Sequence, residues 1–432
     1  MIQGYSDIIL YPIFMISVIL IIFKPKYMFW FGLFYFAGRE FQKSVFTRIG
    51  GLGPYLNLDD AIIVFFLVSL IRYRKLNKIK LPLIIVGILV SIIISIVIMS
   101  VSNALTYEVQ RVHKAALYFP LAIFIAYNFI DNNEKFEIYL KVLFLGSIVA
   151  SIQYLLYILS RQVEIINYTE ISIIRSVGFI SFTPILIITS FFISLKNLNK
   201  KEVFIFIFGL SLFWLNIIFS QTRSVFISLA ITVIILALVF KLHIRLRKTF
   251  YFAIISIFIY LTLLIFFPAF DLKELFLGRM ISLREQGMND PTAYTRLDSL
   301  FLEWKYFLQS NILFGNGLGY NYFVYEGYKY ISWGHIGHIA YLSTLGIFGF
   351  IIYSVLIPVK SIKNYLKLIK QKNQEYYLAI FLVTAIALTF NDWIQFWMSA
   401  SYLGQGAFLA GITYGTLWKT FELNSNKEKN IC

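Results

Sequence analysis

Long apolar stretches alternate with short polar gaps along almost the whole chain. Many of these stretches run for close to twenty residues, and a helix needs about 20 apolar residues to cross the hydrocarbon core of a bilayer. A single apolar stretch can be a buried core helix, but its recurrence along the chain predicts a membrane protein. The pattern predicts spanning helices over residues 6–23, 28–45, 59–73, 81–100, 114–130, 137–160, 177–195, 202–219, 223–241, 249–267, 339–358, 375–395 and 400–418. We therefore expect an all-α polytopic membrane protein with about thirteen transmembrane helices, or about twelve if one early segment lies in the interface.

The densest basic runs lie in four of the polar gaps: RYRKLNKIK (72–80), KNLNKK (196–201), KLHIRLRK (241–248) and KSIKNYLKLIKQK (360–372). Lysine and arginine flank membrane helices mainly on the cytoplasmic side, so these gaps are predicted to be cytoplasmic. The formal net charge of +16 could indicate nucleic-acid binding. Because the charges flank helix ends and no folded soluble domain carries them on one face, a nucleic-acid partner is not expected.

Alternation of the spans places residues 268–338 outside and the C-terminal tail inside. The chain is thus predicted to have three parts: N-terminal transmembrane helices over 1–267, a periplasmic loop over 268–338, and C-terminal transmembrane helices with a cytoplasmic tail over 339–432. The loop is far longer than the connections of about 4–6 residues that are usual in compact domains. Such long segments are usually functional or disordered.

The sequence of this loop favours an ordered structure. It contains ELFLGRMISL and RLDSLFLEWKYFLQ, and in the second stretch apolar residues recur at helical spacing at Leu297, Leu300, Phe301, Trp304, Phe307 and Leu308. Amphipathic helices of this kind can lie on the membrane surface or cap a cavity. The glycine-rich and aromatic stretch FGNGLGYNYF (314–323) follows. We expect an ordered lid over a cavity that faces outward.

Composition agrees with this architecture. Hydrophobic residues make up 59 % of the 432 residues and charged residues only 14 %, against about 25 % charged in typical soluble domains. The single cysteine excludes a disulfide framework within the chain and a cysteine metal site. No repeat of the two halves is visible, which argues against a transporter built from paired repeats.

Several arginines are predicted to lie at the outer face. Arg223, in FSQTRSVFISLA, follows a very short outside turn. Its planar fork could grip an anion such as phosphate, or it could be an interfacial arginine that reaches for the headgroups. Arg175 lies just outside a span in IIRSVGFISFTP, and Arg279, Arg284 and Arg296 belong to the long loop. Arginines outside run against the charge bias, so their gathering indicates an anionic ligand or contact with lipid headgroups.

Two of the four histidines, His335 and His338, lie together in WGHIGHIAYLSTLGIFGF. A metal site is one interpretation, but the motif lacks the glutamate of a zincin and a clear third ligand. A structural role is the second, and a general base that takes a proton from a hydroxyl is the third. A base beside arginines that hold a phosphate leaving group fits glycosyl transfer from a phosphate-linked donor, which does not need the paired carboxylates of hydrolases.

The order of these motifs resembles the bacterial O-antigen ligase and O-antigen polymerase superfamily. The matching features are TRS at a helix start, Arg296 followed by Trp304, then GNGLG, then His335 with Gly346 and Gly349. The segment AIIVFFLVSLIRYRK, preceded by LNLDD, is similar to the third helix of the family. The similarity covers most of the chain, although each motif is short.

The resemblance implies a multi-spanning glycosyltransferase of the GT-C-like type with its site on the periplasmic side. Arg223 and Arg296 match pyrophosphate-binding arginines, and His335 matches the histidine that activates the acceptor hydroxyl. The asparagine that usually follows this histidine is Ile336 here, and His338 stands where the family often has an aromatic residue. This departure puts the identity of the base in doubt, with His335 favoured and His338 second. No metal and no cofactor are implied.

Within the superfamily the polymerase is favoured, because HIGHIAYLSTLGIFG lacks that asparagine and is rich in glycine. The implied reaction transfers an undecaprenyl-pyrophosphate-linked glycan onto the sugar of another lipid-linked repeat unit, with inversion. The alternative within the family is a ligase that transfers the glycan to lipid A–core. The implied location is the bacterial inner membrane, with the C-terminus in the cytoplasm. Membrane lipid and a chain-length regulator protein are the further expected partners.

Two other classes remain open. A flippase for lipid-linked oligosaccharides would also be basic, have many spans and bind a pyrophosphate, but it needs a cavity that opens to each side in turn. The long outside loop and the clustering of candidate residues on one side argue against it. A structural scaffold of an export complex would depend on its surface loops and not on His335.

Overall fold

The structure is a computed structural model of the full chain. It describes residues 2–38, 58–74, 79–102, 107–160, 185, 188–189, 199–220, 223–240, 291–320, 322–324, 329–331, 337–369, 376–398 and 405–429. The predicted span 249–267 lies outside these residues, as does 177–195 apart from three positions. The statements that follow concern the described residues.

The described residues form thirteen α-helices and one small hairpin. The helices before the long loop are α1 (Ile2–Phe23), α2 (Pro25–Gly38), α3 (Leu58–Tyr73), α4 (Leu83–Ser102), α5 (Tyr107–Phe129), α6 (Asn133–Ser160), α7 (Lys200–Ser220) and α8 (Arg223–Phe240). The long loop contains α9 (Pro291–Gln309) and the strands β1 (Tyr322–Val324) and β2 (Lys329–Ile331). The last part contains α10 (Gly337–Phe350), a π-helical turn (Ile351–Leu356), α11 (Ile357–Ile369), α12 (Tyr376–Met398) and α13 (Gln405–Lys429).

The described residues are almost entirely helical, which is consistent with an all-α membrane protein. In the described part, four helical stretches are long and apolar enough to cross a membrane: Leu83–Val101, Val112–Phe129, Asn133–Gln153 and Gly337–Ile369. Shorter apolar helical stretches cover Pro12–Phe23 and Ile380–Phe390. Each of the six falls largely within a predicted span. The total of twelve or thirteen spans stays a prediction.

Helix α4 shows why these helices suit a bilayer. Its buried face contains Ile85, Ile88 and Ile92, which pack in a core cluster with α5, α10 and α13. Its opposite face is equally apolar, with exposed side chains at Leu83, Val86, Val90, Ile93, Val97 and Val101. In water a surface helix has a polar outer face, so a helix that is apolar all round is either buried in protein or surrounded by lipid.

The closest helix packing joins α5 and α13. Gly411 and Gly415 of α13 lie against α5, where a methyl group on them would come within 2.3 Å of the Phe119 carbonyl oxygen and 2.5 Å of the Ile123 carbonyl oxygen. The facing residues of α5 are also small, Ala122 and Ala126, and both are fully buried. Lipid tails are as apolar as leucine, so membrane helices associate through such close contact of small residues rather than through the hydrophobic effect.

One end of the bundle is held by ion pairs, and we call it the lysine-rich end. It contains Arg74, Lys80, Asp131, Lys135, Lys419 and Glu422. Asp131 binds Arg74 at 3.0 Å and Lys135 at 2.8 Å, and Glu422 binds Lys80 at 3.3 Å and Lys419 at 3.0 Å. The gap after α3, the gap after α5 and the end of α13 are therefore together at this end.

The prediction that residues 360–372 form a polar gap between helices was partly wrong, because α11 continues the helix to Ile369. The lysines are spaced so that one face of α11 carries no charge, and this face buries Ile357, Ser361, Tyr365 and Leu368. The stretch Gly337–Ile369 has 33 residues, more than the about 20 that a membrane span needs. The basic end of α11 is therefore expected to extend into the headgroup region.

Helix α13 continues beyond the predicted end of the last span at 418 and runs to Lys429. The extension is held at its side by Glu422, which accepts hydrogen bonds from Tyr127 of α5 and from Lys419. Asn424 Oδ1 also accepts a hydrogen bond from Asn133 Nδ2, at the start of α6.

The long loop is ordered where the structure describes it. The amphipathic helix predicted from the spacing around Leu300 and Trp304 is confirmed as α9, while the stretch ELFLGRMISL lies outside the described residues. The hairpin was not predicted. Its register pairs Phe323 with Tyr330 in an antiparallel ladder, and the residues of both strands are mostly aromatic or β-branched, which suits a strand.

We expect the lysine-rich end to weaken in acid through Glu422. Burial raises the pKa of Glu422, but hydrogen bonds from Tyr127 and Lys419 and the charges of Lys419 and Lys80 lower it more, so its pKa lies below the ordinary 4.5. A carboxyl with a lowered pKa stabilises the fold above its unfolded pKa, and that contribution is lost as the pH falls through the folded pKa. Thermal unfolding in detergent should therefore show a loss of stability below about pH 4.5 that is smaller in Glu422→Gln.

The matched control is Glu134→Gln, because Glu134 is exposed at the first turn of α6 near the same end. This variant should keep the acid dependence of the wild type. An acid dependence of Glu422→Gln equal to that of the wild type would contradict the role of Glu422.

Candidate functional site

Helix α10 is broken at Gly346. This residue has φ 66° and ψ −168°, in a region that residues with a side chain rarely adopt. The break interrupts the intrahelical hydrogen bonds inside a stretch long and apolar enough to span a membrane. Backbone groups released at membrane depth are costly unless another part of the protein pairs with them.

A turn from the long loop supplies these partners. We call residues Asn311–Tyr320 the glycine turn. Four backbone hydrogen bonds join it to α10: Asn316 N–H to Ser343 O at 2.9 Å, Gly317 N–H to Thr344 O at 2.9 Å, Ile347 N–H to Ile312 O at 2.9 Å and Phe348 N–H to Leu313 O at 3.1 Å. The turn thus takes the place of the helical partners that α10 lacks at its break.

Glycine is required on both sides of this contact. A methyl group on Gly346 would lie 2.3 Å from the carbonyl carbon of Leu313. One on Gly315, which also has a positive φ of 73°, would lie 2.5 Å from the carbonyl carbon of Thr344. The two backbones are therefore in direct contact, and no larger residue fits at either position without moving main chain.

The glycine turn also binds α4 and α5. The Leu318 N–H donates to Ser95 Oγ at 2.7 Å, and Ser95 Oγ in turn donates to Thr344 O at 3.4 Å. His113 Nε2 lies 2.7 Å from Leu318 O, and since a carbonyl only accepts, Nε2 carries the hydrogen. Asn316 Nδ2 reaches Tyr306 O of α9 at 3.1 Å. The turn therefore joins α4, α5, α9 and α10 at the end of the bundle opposite the lysine-rich end.

Two carboxylates lie near this end, at the start of α3. Asp59 is 1 % and Asp60 is 9 % exposed. Asp60 accepts a hydrogen bond from Tyr118 and pairs with Lys114 at 2.7 Å, and Asp59 accepts one from Tyr35 at 3.0 Å. Lys114 follows His113 on α5, so the carboxylates and the glycine turn hold the same turn of that helix. A charge pair and phenol donors compensate the burial of these carboxylates.

His338 is fully buried at the first turn of α10. Its Nδ1 lies 2.6 Å from Ser354 Oγ in the π-helical turn, and its Nε2 lies 3.3 Å from Trp393 O of α12. The carbonyl requires a donor, so Nε2 carries the hydrogen and, in the neutral ring, Nδ1 accepts from the Ser354 hydroxyl. Trp393 Nε1 donates to Ser354 O at 3.1 Å, so the three residues His338, Ser354 and Trp393 are joined in one hydrogen-bond network. His338 thus connects α10, the π-helical turn and α12.

The other predicted site residues are placed only by their backbone or not at all. Arg223 is the first residue of α8, which packs against α12. Arg296 lies in α9, which packs against α10. His335, Arg175, Arg279 and Arg284 lie outside the described residues. The helices that carry Arg223, Arg296 and His338 are therefore packed in one group, since α10 also contacts α12.

Sequence reasoning missed His113, Ser95 and the carboxylates as members of this end. The signal for Asp59 and Asp60 was present, because two adjacent carboxylates at the start of an apolar helix need partners. His113 and Ser95 gave no such signal, since each binds a residue more than two hundred positions away in the chain.

The described residues hold no group of three or more histidine, cysteine, aspartate or glutamate side chains that could bind a metal ion. No protein-family model matches the chain, and no curated protein matches it in sequence. Its activity is therefore inferred from its own residues. The described arrangement holds the long loop rigidly against the bundle. The helices that carry Arg223 and Arg296 pack in the same part of the protein.

Replacing Gly346 should undock the glycine turn. Gly346→Ala places a methyl group against Leu313 and strains a backbone with positive φ, so we expect a loss of about 1–3 kcal/mol or more in the free energy of unfolding. Thermal or denaturant unfolding in detergent measures the loss, and limited proteolysis should cut the loop faster.

Gly87→Ala is the matched control. Gly87 also lies in an apolar helix, but a methyl group there would meet only Ile352 Cδ1 at 3.8 Å, so this variant should be neutral or slightly more stable. Equal behaviour of the two variants would contradict the docked turn.

His338 and Ser354 should be energetically coupled. Ser354→Ala leaves the ring without its hydroxyl partner and should cost about 1 kcal/mol, while His338→Ala leaves a cavity and should cost about 2–5 kcal/mol. The double variant should cost less than the sum, by about 0.5–3 kcal/mol. In the control cycle His338→Ala is combined with Ser147→Ala of α6, where the hydroxyl bonds within its own helix. Additive costs in the first cycle would exclude the hydrogen bond.

Proposed function

We propose that this chain is a membrane glycosyltransferase that polymerises lipid-linked polysaccharide repeat units. The observation that carries the proposal is the contact between the glycine turn and Gly346. These are two of the motifs on which the resemblance to the O-antigen polymerase and ligase superfamily rests, and they are distant in sequence. Their contact supports the view that the motifs belong to one working unit.

The packing of the arginine-bearing helices adds support. Arg223 begins α8 and Arg296 lies in α9, and both helices pack on elements joined by His338. We assign to these two arginines the binding of the pyrophosphate of the donor, because a planar guanidinium matches phosphate oxygens in pairs. Arg175, Arg279 and Arg284 are proposed to add positive charge around the same group.

His335 is proposed as the general base. It takes the proton of the acceptor hydroxyl, whose oxygen attacks the anomeric carbon of the donor sugar from the face opposite the pyrophosphate. The bond from that carbon to the pyrophosphate oxygen breaks, and the lipid pyrophosphate leaves with the electron pair, so the configuration is inverted. The complete burial of His338 and the partners on both its ring nitrogens favour His335 over His338 for this step.

The proposed fold is of the GT-C-like type with twelve or thirteen spans in the bacterial inner membrane. We place the lysine-rich end and the C-terminus in the cytoplasm, since it gathers Arg74, Lys80, Lys135 and Lys419. The glycine turn then faces the periplasm, where undecaprenyl-pyrophosphate-linked repeat units are the substrates. The proposed reaction needs no metal ion.

The decisive experiment is a gel profile of surface polysaccharide from cells that lack this chain. If the chain is a polymerase, these cells should carry lipid A–core with a single repeat unit. A ligase, the alternative within the superfamily, predicts bare core while long polymer collects on the lipid carrier. A flippase predicts single repeats stranded on the cytoplasmic face, which glycosidase accessibility in vesicles would reveal.

Restoring single variants tests the assigned roles. His335→Ala should slow polymer formation by about 10²–10⁴-fold, and Arg223→Ala and Arg296→Ala should be similarly severe because the leaving group loses its charge partner. His243→Ala is the control, since this histidine lies in a gap predicted to be on the opposite side. Normal polymer length in the three site variants, with normal membrane insertion, would contradict the catalytic assignment.

A further inference from the structure

Helix α9 has three distinct faces. One face is buried against the protein and contains Glu303 and Phe307, which are 2 % and 5 % exposed. A second face is apolar and exposed, with Phe301 at 69 %, Trp304 at 45 % and Leu308 at 58 %. The third face is polar and exposed, and it contains Lys305 and Gln309. It borders the apolar face on the side away from Phe307. At 100° per residue these seven positions fall in three separate sectors of the helix.

Further exposed apolar residues follow the helix in the chain. After Ser310 and Asn311, Ile312 and Leu313 of the glycine turn are 50 % and 58 % exposed. Backbone hydrogen bonds join these two residues edge to edge with Ile347 and Phe348 of α10. From there exposed apolar side chains follow α10 and the π-helical turn at Ile347, Phe348, Ile351 and Val355.

The attachment of the glycine turn indicates what covers the apolar face of α9. Ile347 to Val355 belong to a stretch that is apolar and long enough to cross a membrane, so lipid is the expected partner of their exposed side chains. The glycine turn joins α9 to this stretch through the backbone bonds of Ile312 and Leu313, and α9 itself packs against α10. Exposed apolar side chains need an apolar partner, and beside a membrane-spanning stretch that partner is the bilayer.

We propose that α9 is an interfacial helix whose apolar face, Phe301, Trp304 and Leu308, is inserted into the leaflet entered by the start of α10. Tryptophan is enriched at this depth because its ring is apolar and its N–H is polar. Lys305, at the edge of the face, reaches the phosphates of the lipid headgroups. Insertion to about 5–10 Å is usual for such helices.

Whatever reaction the chain catalyses, the loop is held at the membrane by the backbone contact of the glycine turn on one side and by lipid on the other. Lipid is the occupant of the apolar face. A second copy of the chain and another protein are the outcomes that the experiment must separate.

The test uses nitroxide labels on the full-length protein in nanodiscs or vesicles of phosphatidylcholine and phosphatidylglycerol. Cys432 is the only cysteine, so Cys432→Ser gives a background for single labels. Leu308→Cys reports the apolar face, and Phe301→Cys is a second variant on that face. Gln309→Cys, the next residue, reports the polar face. Val97→Cys, exposed on α4, is the reference for a lipid-facing site.

Accessibility to oxygen and to a water-soluble nickel chelate measures the depth of each label. We expect Leu308→Cys and Phe301→Cys to resemble Val97→Cys, with high oxygen and low nickel accessibility, and Gln309→Cys to show the reverse. High nickel accessibility on the apolar face would overturn the proposal and indicate a protein partner missing from the purified sample. Low accessibility to both reagents, with spin coupling that disappears on dilution with unlabelled protein, would overturn it in favour of a second copy.

Discussion

The backbone at Gly346 is the constraint on which the glycine-turn end of the molecule depends. A membrane helix satisfies its backbone groups internally, and a break in it leaves carbonyl and N–H groups that lipid cannot pair. Here the groups around the break are paired by a turn of the long loop, through four backbone hydrogen bonds. The loop is therefore part of the membrane fold, and removing it would leave an open break in α10.

The same turn sets the positions of the surrounding helices. Ser95 links it to α4 and His113 links it to α5, while Asn316 links it to α9. Next to His113 on α5, Lys114 is held by Asp60 of α3. A single short segment thus fixes the ends of several helices through buried polar contacts. At the other end, ion pairs between partly exposed residues have this role, and α5 and α13 connect the two ends through close contact of small residues.

How much the sequence could reveal depended on the kind of interaction. Apolar length predicted most of the described helices well, because a helix that crosses a bilayer needs about 20 apolar residues. It could not predict α11, since a short basic amphipathic helix resembles a loop when only charge is considered. The hairpin was too short to give a pattern, and the partners of His113 and Ser95 were invisible because the contacts are distant in sequence. The spacing of α9 gave its helical period but could not separate its two apolar faces, one against protein and one exposed.

His338 is fully buried, which its sequence pattern could not reveal. The ring nitrogens of His338 have partners in the π-helical turn and in α12, so its hydrogen bonds serve to connect helices. The step assigned to His335 requires a ring that meets a substrate, and the pyrophosphate of a lipid-linked glycan lies at headgroup depth because its lipid chain stays in the hydrocarbon. An interfacial α9 would hold the loop at that depth. The proposed reaction and the proposed membrane contact therefore require the same thing of this loop: a rigid attachment at the level of the lipid phosphates.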